Sequence, residues 1–389
     1  MRVLYSFPHR LGRTGIGNTS WQQATQLGLA AGLDVTVACG TLNRDIPDGA
    51  CSVVETMRLA KLPVPYRAIG VERAWSWHDR KVARMLRNAA AKGCPFDVVH
   101  TWPSGALATL QAAREVGTAS FLERPNCHTA FAYETVAEEL DRLGMELPPG
   151  ACHRVNDVRL ALESDEFAAA DRLLCPSDFV AETHTDRGVD PSKIARHRYG
   201  YEPGRFTPPA EKSQKFTAAF VGTCEPRKGL HLALDAWKRA GIDGTLLIAG
   251  GFVPGYREVL GDTLGDGVEH LGFVDDVPAV LRKADVLLLP SLEEGSALVT
   301  YEAQACGCVP MVSRAAGVVA TDGLTALLHD PRDVATLSDQ LKQLAGDTGR
   351  LRKMQTDAVA HAVSLTWADA ARVLAERYTE ALGAGRVAA

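Results

Sequence analysis

Short runs of apolar residues alternate with longer segments of helical periodicity along the chain, and this alternation is the feature that most constrains the fold. In the first half, strand patterns at Met1–Phe7, Val35–Ala38 and Asp97–Thr101 alternate with helical patterns at Gln22–Ala31 and Gly105–Val116. This order is typical of βαβ units, in which helices connect parallel strands. The sequence therefore predicts an α/β protein built on parallel sheets.

The alternation pauses once, and the pause divides the chain into two halves. A polar, proline-rich stretch lies at Glu202–Gln214, and a new strand pattern begins at Phe216–Val221. A chain of 389 residues exceeds what one hydrophobic core usually supports. We predict two Rossmann-like domains, residues 1–205 and 206–365. Residues 366–389 are expected to form a helix that packs back on the N-terminal domain.

Composition and charge exclude several classes of protein. A net charge of −5 gives no overall attraction to nucleic acid, so no nucleic-acid partner is expected. The nine cysteines form no CxxC pair, and Cys306 and Cys308 lie in a small-residue run that is typical of packing, so no metal site is predicted. The N-terminus lacks a secretion signal, and no apolar run is long enough to span a membrane. We expect a cytoplasmic protein.

Polar residues follow the first strand pattern of the second half, where ligands bind in open α/β sheets. Gly222 and Thr223 come directly after this strand, and Arg227 and Lys228 precede a helical pattern. A glycine permits close approach of the backbone to a ligand, and adjacent cations can neutralise a diphosphate. On local sequence alone, solvated loop charges explain the two cations equally well.

A stronger signal follows the buried-strand pattern at Asp285–Pro290, where an acidic glycine turn leads into a helical pattern. Glu294 and Glu302 are eight positions apart, which predicts that they lie on a similar face of one helix. Carboxylates can accept hydrogen bonds from the vicinal hydroxyls of a sugar or ribose, and a helix N-terminus can face a phosphate. Two helical glutamates alone are usually exposed to solvent, but the order of strand, turn and helix favours a ligand site.

These segments resemble the retaining glycosyltransferases of the family-4 type, which have the GT-B fold. The most specific match runs from Pro290 to Gly307 and resembles the family's E-x7-E motif. Further matches are FVG…RKG at 220–229, LGFVDD at 271–276 and DGLTALL at 322–328. The resemblance implies two Rossmann-like domains facing across a cleft. It also implies sugar transfer from a UDP- or GDP-sugar with retention, without a metal ion or bound cofactor.

The resemblance assigns roles position by position. Glu302 is expected to hold the ribose hydroxyls, and Glu294 the hydroxyls of the donor sugar. Lys228, assisted by Arg227, is expected to neutralise the diphosphate. The other expected donor contacts come from backbone groups and from residues near the base: Gly17, Gly222, Thr223, Phe273, Val274, Ser296, Ala297, Leu298 and Val299.

The chain departs from the family pattern at three places that concern the donor. Thr223 stands where the family often has arginine, and Ser296 and Ala297 stand where an aromatic residue and a glycine are common. The segment Ser313–Thr321 is shorter than the family's loop. These departures leave the second phosphate cation and the choice of donor sugar open.

A glycine-rich loop at Gly12–Ser20 follows the first strand pattern. A simple tight turn explains it as well as a binding loop does, and Asn18, Thr19 or Ser20 is expected to cap the next helix. Under the resemblance, this loop approaches the donor phosphates and the acceptor across the cleft.

Polar residues also gather after the strand pattern that ends near residue 122. His128 matches the family's histidine that faces the donor sugar, although a lone histidine is as often structural. Glu123, Arg124 and Asn126 are expected to meet the acceptor. The acceptor itself is open, and a small molecule, a glycan or a lipid-linked sugar would each fit.

The segment 73–92 has the pattern of a basic amphipathic helix. Packing of its apolar stripe on the domain is the favoured interpretation, while peripheral contact with the inner face of a membrane and acceptor recognition are alternatives. Two other functions use the same architecture. One is a sugar-nucleotide epimerase, and the other is a catalytically silent scaffold that binds a sugar nucleotide.

Overall fold

The computed structural model describes residues 1–59, 62–63, 70–147, 150–212 and 215–387. Two parallel sheets organise this part of the chain, one in each half. Helices cover both faces of each sheet, which explains why most strands are apolar throughout. The α/β fold with two Rossmann-like domains is confirmed.

The N-terminal sheet has seven parallel strands in the order β3-β2-β1-β6-β7-β8-β9, and β4 and β5 form a separate antiparallel pair. In chain order the strands are β1 (Arg2–Leu11), β2 (Asp34–Leu42), β3 (Ser52–Glu55), β4 (Arg58–Leu59), β5 (Leu62–Pro63), β6 (Val98–Thr101), β7 (Ala119–Glu123), β8 (Arg172–Cys175) and β9 (Ile194–Arg196). The helices are α1 (Ile16–Leu29), α2 (Val71–Ala91), α3 (Leu107–Val116), α4 (Thr129–Arg142), α5 (Asp157–Ala169) and α6 (Asp178–Thr185).

The C-terminal sheet has six parallel strands in the order β12-β11-β10-β13-β14-β15. They are β10 (Phe216–Val221), β11 (Gly244–Ala249), β12 (Val268–Gly272), β13 (Val286–Leu289), β14 (Val309–Ser313) and β15 (Leu327–His329). The helices are α7 (Leu230–Ala240), α8 (Tyr256–Leu260), α9 (Val277–Lys283), α10 (Leu298–Ala305), α11 (Val334–Gly346), α12 (Thr348–Ala362) and α13 (Trp367–Val387). The strand order reverses between β10 and β13, and such a reversal places a crevice outside the carboxyl ends of these two strands.

Alternate residues of the C-terminal strands enter separate cores on the two faces of the sheet. Phe220, Ile248 and Leu288 belong to one buried cluster, while Ala219 and Leu247 belong to the other. A parallel sheet covered on both faces buries every side chain of its central strands. This rigid sheet fixes the positions of the loops that follow β10 and β13.

The chain passes between the sheets twice, and the two passages lie side by side. The Tyr201 N–H donates to the Leu365 carbonyl at 3.1 Å, and the Trp367 N–H donates to the Tyr201 carbonyl at 3.2 Å. A Cβ atom on Gly200 would lie 2.5 Å from the backbone of Thr366, so only glycine fits here. The predicted boundary stretch includes Ser213 and Gln214, which lie outside the described residues, and the domain limits stay a proposal.

Helix α13 returns from the C-terminal half and packs on α1. Its residues Ala371, Leu374 and Tyr378 are buried with Tyr5 of β1 in the core of the N-terminal sheet. The Tyr378 hydroxyl lies 2.6 Å from Nδ1 of His100. The last two residues of the predicted C-terminal segment, 388 and 389, lie outside the described residues.

The basic helix predicted at 73–92 is α2, which packs its apolar stripe against α3. Val82 and Leu86 are buried on that stripe, and Lys81 donates to the Thr56 carbonyl at 2.6 Å. Packing on the domain therefore accounts for this buried stripe, while Val71 and Trp77 of the same helix are exposed. No helix in the described part of the chain is both long enough and apolar enough to cross a membrane.

Candidate donor site

The loop after β10 brings a glycine, a lysine and the end of β13 together. A Cβ atom on Gly222 would lie 3.8 Å from the Lys228 side chain. The lysine side chain therefore passes over the Gly222 backbone. Gly229 has φ +71°, and a Cβ atom there would lie 2.1 Å from the Pro290 carbonyl oxygen. Close contact between these two loops therefore requires glycine at 229. Thr223 of the same loop is exposed.

Lys228 and Arg227 lie against the carboxylates of the loop after β13. Lys228 Nζ contacts Glu294 Oε1. Arg227 Nη1 lies 3.4 Å from the same Glu294 oxygen and 3.3 Å from Glu293 Oε1, and its Nε lies 2.8 Å from Glu225 Oε1. Both glutamates of the β13 loop are buried. The structure thus brings the predicted residues Arg227, Lys228 and Glu294 into one cluster at the reversal of strand order.

The predicted helical relation between Glu294 and Glu302 is wrong. Helix α10 begins at Leu298 with Ala297 as its N-cap residue, so Glu294 lies in the loop four positions before the helix. This loop is held in place by the segment after β14, because Ser296 Oγ donates to the Gly317 carbonyl at 2.9 Å and the Ala297 N–H donates to the Ala316 carbonyl at 3.0 Å. These contacts accompany an extended backbone at Ala297, and the helix starts only after it.

Helix α10 begins four positions after Glu294 of this cluster, with Leu298 and Val299 in its first turn. The first N–H groups of a helix lack intrahelical acceptors and carry the positive end of the helix dipole. The Ala297 N–H is already bonded to the Ala316 carbonyl, so a negatively charged group here would meet the N–H groups of Leu298 and Val299, together with the cations that contact Glu294. The arrangement is suited to a diphosphate.

Glu302 lies on α10 and is partly buried. Within the described residues, its carboxylate has no hydrogen-bonding or ion-pair partner. Burial raises the pKa of Glu302 to about 7, although the charge of Arg205 opposes this shift. A carboxylate that is buried without a donor is costly, and ligand hydroxyls would supply the missing donors.

Phe273 and Val274, which follow β12, differ in their surroundings. The Phe273 side chain is 84% exposed, whereas Val274 packs against the core on one face of the sheet. An exposed aromatic side chain at the carboxyl edge of a sheet is available to stack on a planar ligand. The contact of these residues with a base stays a prediction.

The glycine-rich loop of the N-terminal half forms a tight turn. Helix α1 begins at Ile16 with Gly15 (φ 74°) as its N-cap residue and no side-chain cap, so the predicted cap at Asn18, Thr19 or Ser20 is wrong. A Cβ atom on Gly17 would lie 2.6 Å from the Arg10 carbonyl oxygen. The position of Gly17 against β1 explains the glycine by packing, and its predicted donor contact stays a prediction.

His128 is the N-cap residue of α4, where its Nδ1 accepts a hydrogen bond from the Ala130 N–H at 3.2 Å. Its ring packs against His184 and Phe167. Burial, together with the charge of Arg124, lowers the pKa of His128, so the ring is neutral at pH 7. With Nδ1 acting as an acceptor, the proton lies on Nε2, and the imidazole is a hydrogen-bond donor at that atom.

Two of the three predicted acceptor residues are buried in polar networks. Glu123 is fully buried, and its carboxylate accepts a hydrogen bond from Tyr199 at 2.8 Å and lies 2.9 Å from His197 Nε2. Arg124 is also buried, with its guanidinium 3.2 Å from Glu163. These contacts favour structural roles for both residues. Asn126 is exposed and lies beside Gly295 of the C-terminal half, where a Cβ atom would approach Pro125 and Asn126.

Four residues that are not among the predicted site residues join the two halves here. Glu293 accepts a hydrogen bond from Cys127 Sγ at 3.3 Å, and its other oxygen lies 3.1 Å from His153 Nε2. Ser177 donates to the Gly295 carbonyl. The acidic pair at 293–294 was a signal for Glu293, but nothing in the local sequence marks His153, Cys127 or Ser177. Among the described residues, no group of three His, Cys, Asp or Glu side chains is arranged to hold a metal ion.

Models of two glycosyltransferase domains match the chain. Residues 14–200 match the glycosyl transferase 4-like domain, and residues 215–347 match the domain of group 1 glycosyl transferases. The two matched ranges contain the N-terminal and C-terminal sheets, respectively. The chain therefore belongs to the glycosyltransferases of this two-domain type, with the GT-B fold.

Curated relatives and solved structures agree with this assignment. The chain is 29% identical over 341 residues to the D-inositol 3-phosphate glycosyltransferase of Salinispora arenicola. This match covers 78% of this chain and 73% of the relative. It is 26% identical over 349 residues to the enzyme of that name from Corynebacterium efficiens. That match covers 82% of this chain and 79% of the relative.

Among solved structures, sucrose-phosphate synthase from Thermosynechococcus elongatus superposes with a TM-score of 0.69 at 18% identity, covering 99% of this chain and 100% of that one. Anabaena HepE in complex with UDP-glucose gives a TM-score of 0.62 at 14% identity, covering 99% and 100%. At these identities the likeness shows the fold.

Proposed function

We propose that this glycosyltransferase takes a sugar from a nucleoside-diphosphate donor bound to the C-terminal domain. The observation that carries the proposal is the cluster of Arg227, Lys228 and Glu294 at the reversal of strand order, beside the N-terminus of α10. Departure of a nucleoside diphosphate develops negative charge on the leaving phosphate. Two side-chain cations and a helix N-terminus stabilise that charge.

The proposed donor is a UDP- or GDP-sugar, and the HepE structure that contains UDP-glucose supports a uridine nucleotide. In this proposal, Glu302 accepts hydrogen bonds from the ribose hydroxyls and Glu294 from the donor sugar. His128 faces that sugar with its Nε2–H. Retention of the anomeric configuration and independence of metal ions are further parts of the proposal, which rest on the resemblance to the family and on the cations at the site.

The acceptor in this proposal approaches from the N-terminal domain, near Asn126 and the glycine-rich loop. The curated relatives are D-inositol 3-phosphate glycosyltransferases, so D-inositol 3-phosphate is the first acceptor to test. Glycans and lipid-linked sugars are the next candidates. Peripheral contact of α2 with a membrane, and a cytoplasmic location, stay predictions.

Lys228→Ala tests the proposed diphosphate contact. Removing one preorganised charge at a developing anion reduces turnover by about 10²–10³-fold, and we expect a loss of that size in the rate of nucleoside diphosphate release. Lys238→Ala is the matched control, because Lys238 is exposed near the end of α7 in the same domain. The assay uses a panel of UDP- and GDP-sugars with D-inositol 3-phosphate, with and without EDTA.

The same assay separates the alternative functions. A transferase releases nucleoside diphosphate only as a glycosylated acceptor appears, an epimerase converts the donor without an acceptor, and a scaffold releases no nucleoside diphosphate. Equal turnover in Lys228→Ala and Lys238→Ala would refute the site assignment.

A further inference from the structure

A cysteine, a histidine and a glutamate form a connected row at the interface between the domains, and the proposed transfer uses none of the three. Cys152 Sγ lies 3.4 Å from Nδ1 of His153. Nε2 of the same ring lies 3.1 Å from Glu293 Oε1. Thiol, imidazole and carboxylate in this order form the arrangement by which proteins activate a cysteine nucleophile.

We propose that Cys152 is a modification site, an activated thiol that reacts selectively with hydroperoxides and with soft alkylating electrophiles. This inference concerns the chemistry of one side chain, and it holds whether or not the protein transfers a sugar from a nucleotide.

Exposure separates Cys152 from seven of the other eight cysteines, and all nine lie in the described part of the chain. Six are buried and Cys51 is partly buried, so only Cys94 and Cys152 are exposed. Among the described residues, no histidine or carboxylate is hydrogen-bonded to the sulfur of Cys94. The two exposed thiols therefore differ in their neighbours and form a natural comparison.

The carboxylate at the far end of the row is held firmly. Glu293 is buried, its Oε2 accepts a hydrogen bond from Cys127 Sγ at 3.3 Å, and its Oε1 lies 3.3 Å from Arg227 Nη1. An anchored Glu293 fixes His153 through Nε2 and leaves Nδ1 directed at the sulfur of Cys152. Because Glu293 belongs to the C-terminal domain and Cys152 to the N-terminal domain, the row is complete only when the two domains are in contact.

The charges around the row favour the thiolate. The hydrogen bond with His153 lowers the pKa of Cys152, against the opposing effect of burial. Burial alone would lower the pKa of His153, but its bonds to Cys152 and Glu293 raise that pKa to about 9. The charged and titratable groups that face Cys152 from the surrounding elements are His153, Glu293, Arg227, Glu225, Tyr133 and Arg159.

The proposed oxidation balances with groups that are present at the site. The Cys152 thiolate attacks one oxygen of a hydroperoxide, so that an S–O bond forms as the O–O bond breaks. The sulfur is oxidised to a sulfenic acid, and the peroxide is reduced. The imidazolium of His153 gives its proton to the departing hydroxide or alkoxide, which leaves as water or an alcohol.

The experiment measures reaction rates at single cysteines in the full-length protein. The protein is treated with limiting iodoacetamide over a series of pH values, quenched, digested and analysed by mass spectrometry for the peptides that contain Cys152 and Cys94. Because an ordinary thiol is mostly protonated below its pKa, we expect Cys152 to react at least about tenfold faster than Cys94 at mildly acidic pH. Hydrogen peroxide with a sulfenic-acid trap should label Cys152 in preference to Cys94.

Two variants test the row itself. His153→Gln should reduce the alkylation rate of Cys152 to that of Cys94, and Glu293→Gln should shift the pH profile of Cys152 toward higher pH. Cys94 serves in every variant as the internal standard for rate, and circular dichroism checks folding. Equal rates and equal pH profiles for Cys152 and Cys94 in the unmodified sequence would overturn the proposal, as would an unchanged Cys152 rate in His153→Gln.

Discussion

At the scale of single residues, the two glutamates of the donor motif differ in their partners. Glu294 contacts Lys228 and lies 3.4 Å from Arg227, whereas Glu302 has no partner within the described residues. An ion pair offsets part of the cost of burying a carboxylate, and an unpartnered carboxylate retains that cost. The fold therefore holds the Glu302 carboxylate in a position that lowers the stability of the folded protein. Such a cost is typical of a binding residue.

Glu302→Gln should stabilise the protein above neutral pH. The pKa of Glu302 is raised from 4.5 to about 7, so the folded state holds a proton that the unfolded state releases. Its contribution to stability is present below about pH 4.5 and is lost as the pH rises to about 7. We expect the variant to gain on the order of 1–3 kcal/mol at pH 8 and almost nothing at pH 4. Denaturant unfolding at both pH values measures this difference.

The same variant should weaken nucleotide binding, because a glutamine is a poorer acceptor for ribose hydroxyls than a carboxylate. Isothermal titration with UDP and GDP checks this part, and Lys238→Ala again serves as the control. A variant that is no more stable at pH 8 than at pH 4 would contradict the environment assigned to Glu302. Unchanged nucleotide affinity would contradict only its proposed role.

The sequence pattern indicated that Arg227, Lys228 and Glu294 lie near one another, but it did not indicate the surroundings of the other candidate residues. The positions of Arg227, Lys228 and Glu294 follow strands, and strand ends are recognisable from apolar runs. Burial of Glu123 and Arg124 was not predictable in this way, because their partners come from distant parts of the chain. Tyr199 is 76 positions from Glu123, and Glu163 is 39 positions from Arg124.

At the scale of elements, the site depends on close contact between the loops after β10 and β13. Gly229 is the point of contact, since a Cβ atom there would lie 2.1 Å from the Pro290 carbonyl oxygen. The neighbouring Arg227 carbonyl accepts a hydrogen bond from the Leu292 N–H at 2.7 Å. The relative position of Lys228 and Glu294 therefore follows from backbone packing.

Gly229→Ala should destabilise the protein more than Gly241→Ala does. Both glycines have positive φ, +71° and +60°, so each substitution carries backbone strain of about 1–2 kcal/mol. A Cβ atom at 241 meets nothing within 4 Å, whereas one at 229 collides with a carbonyl oxygen that cannot move away cheaply. We expect a loss above about 3 kcal/mol for Gly229→Ala, measured by denaturant unfolding. Similar losses for both variants would show that the loops separate freely.

The elements themselves were largely predictable, and the errors have physical causes. The strand at Phe216–Val221 has the predicted limits, because a buried parallel strand is a continuous apolar run. Helix α1 was predicted from residue 22 but begins at Ile16. Its first turns contain Gly17, Asn18, Thr19 and Ser20, and this stretch has no apolar residues at helical spacing. The segment is nevertheless helical, because this end of the helix packs on β1.

At the scale of the whole molecule, polar contacts connect the two domains around the site. His231 Nε2 of α7 lies 2.6 Å from Glu139 Oε1 of α4, and Arg332 Nε lies 2.7 Å from Glu139 Oε2. The Ser177 hydroxyl also donates to the Gly295 carbonyl between the two domains. No local sequence pattern predicts such contacts, because each depends on the relative placement of two separately folded sheets.

Glu139→Gln should weaken the association of the domains near neutral pH, because it removes the buried carboxylate that His231 and Arg332 share. Arg332 then keeps only the exposed carboxylate of Glu138, which lies 3.6 Å away. Burial alone would raise the pKa of Glu139, but hydrogen bonds from His231 and Arg332 hold it below 4.5. The stabilisation is therefore present above about pH 4.5 and is lost as the pH falls. We expect the variant to lose about 1–3 kcal/mol and to show a larger radius of gyration in small-angle scattering at pH 7.

Glu134→Gln provides the matched control for this prediction. Glu134 lies on the same helix, α4, but its partner Arg187 belongs to the same domain, and the Glu134 side chain is 59% exposed. This variant should leave the radius of gyration unchanged, because its ion pair does not cross the interface. The difference between wild type and Glu139→Gln should also vanish at low pH, where the wild-type carboxylate is protonated. If both variants scatter like the wild type at pH 7, the domains are held together by their backbone and apolar contacts, and Glu139 only fills the interface.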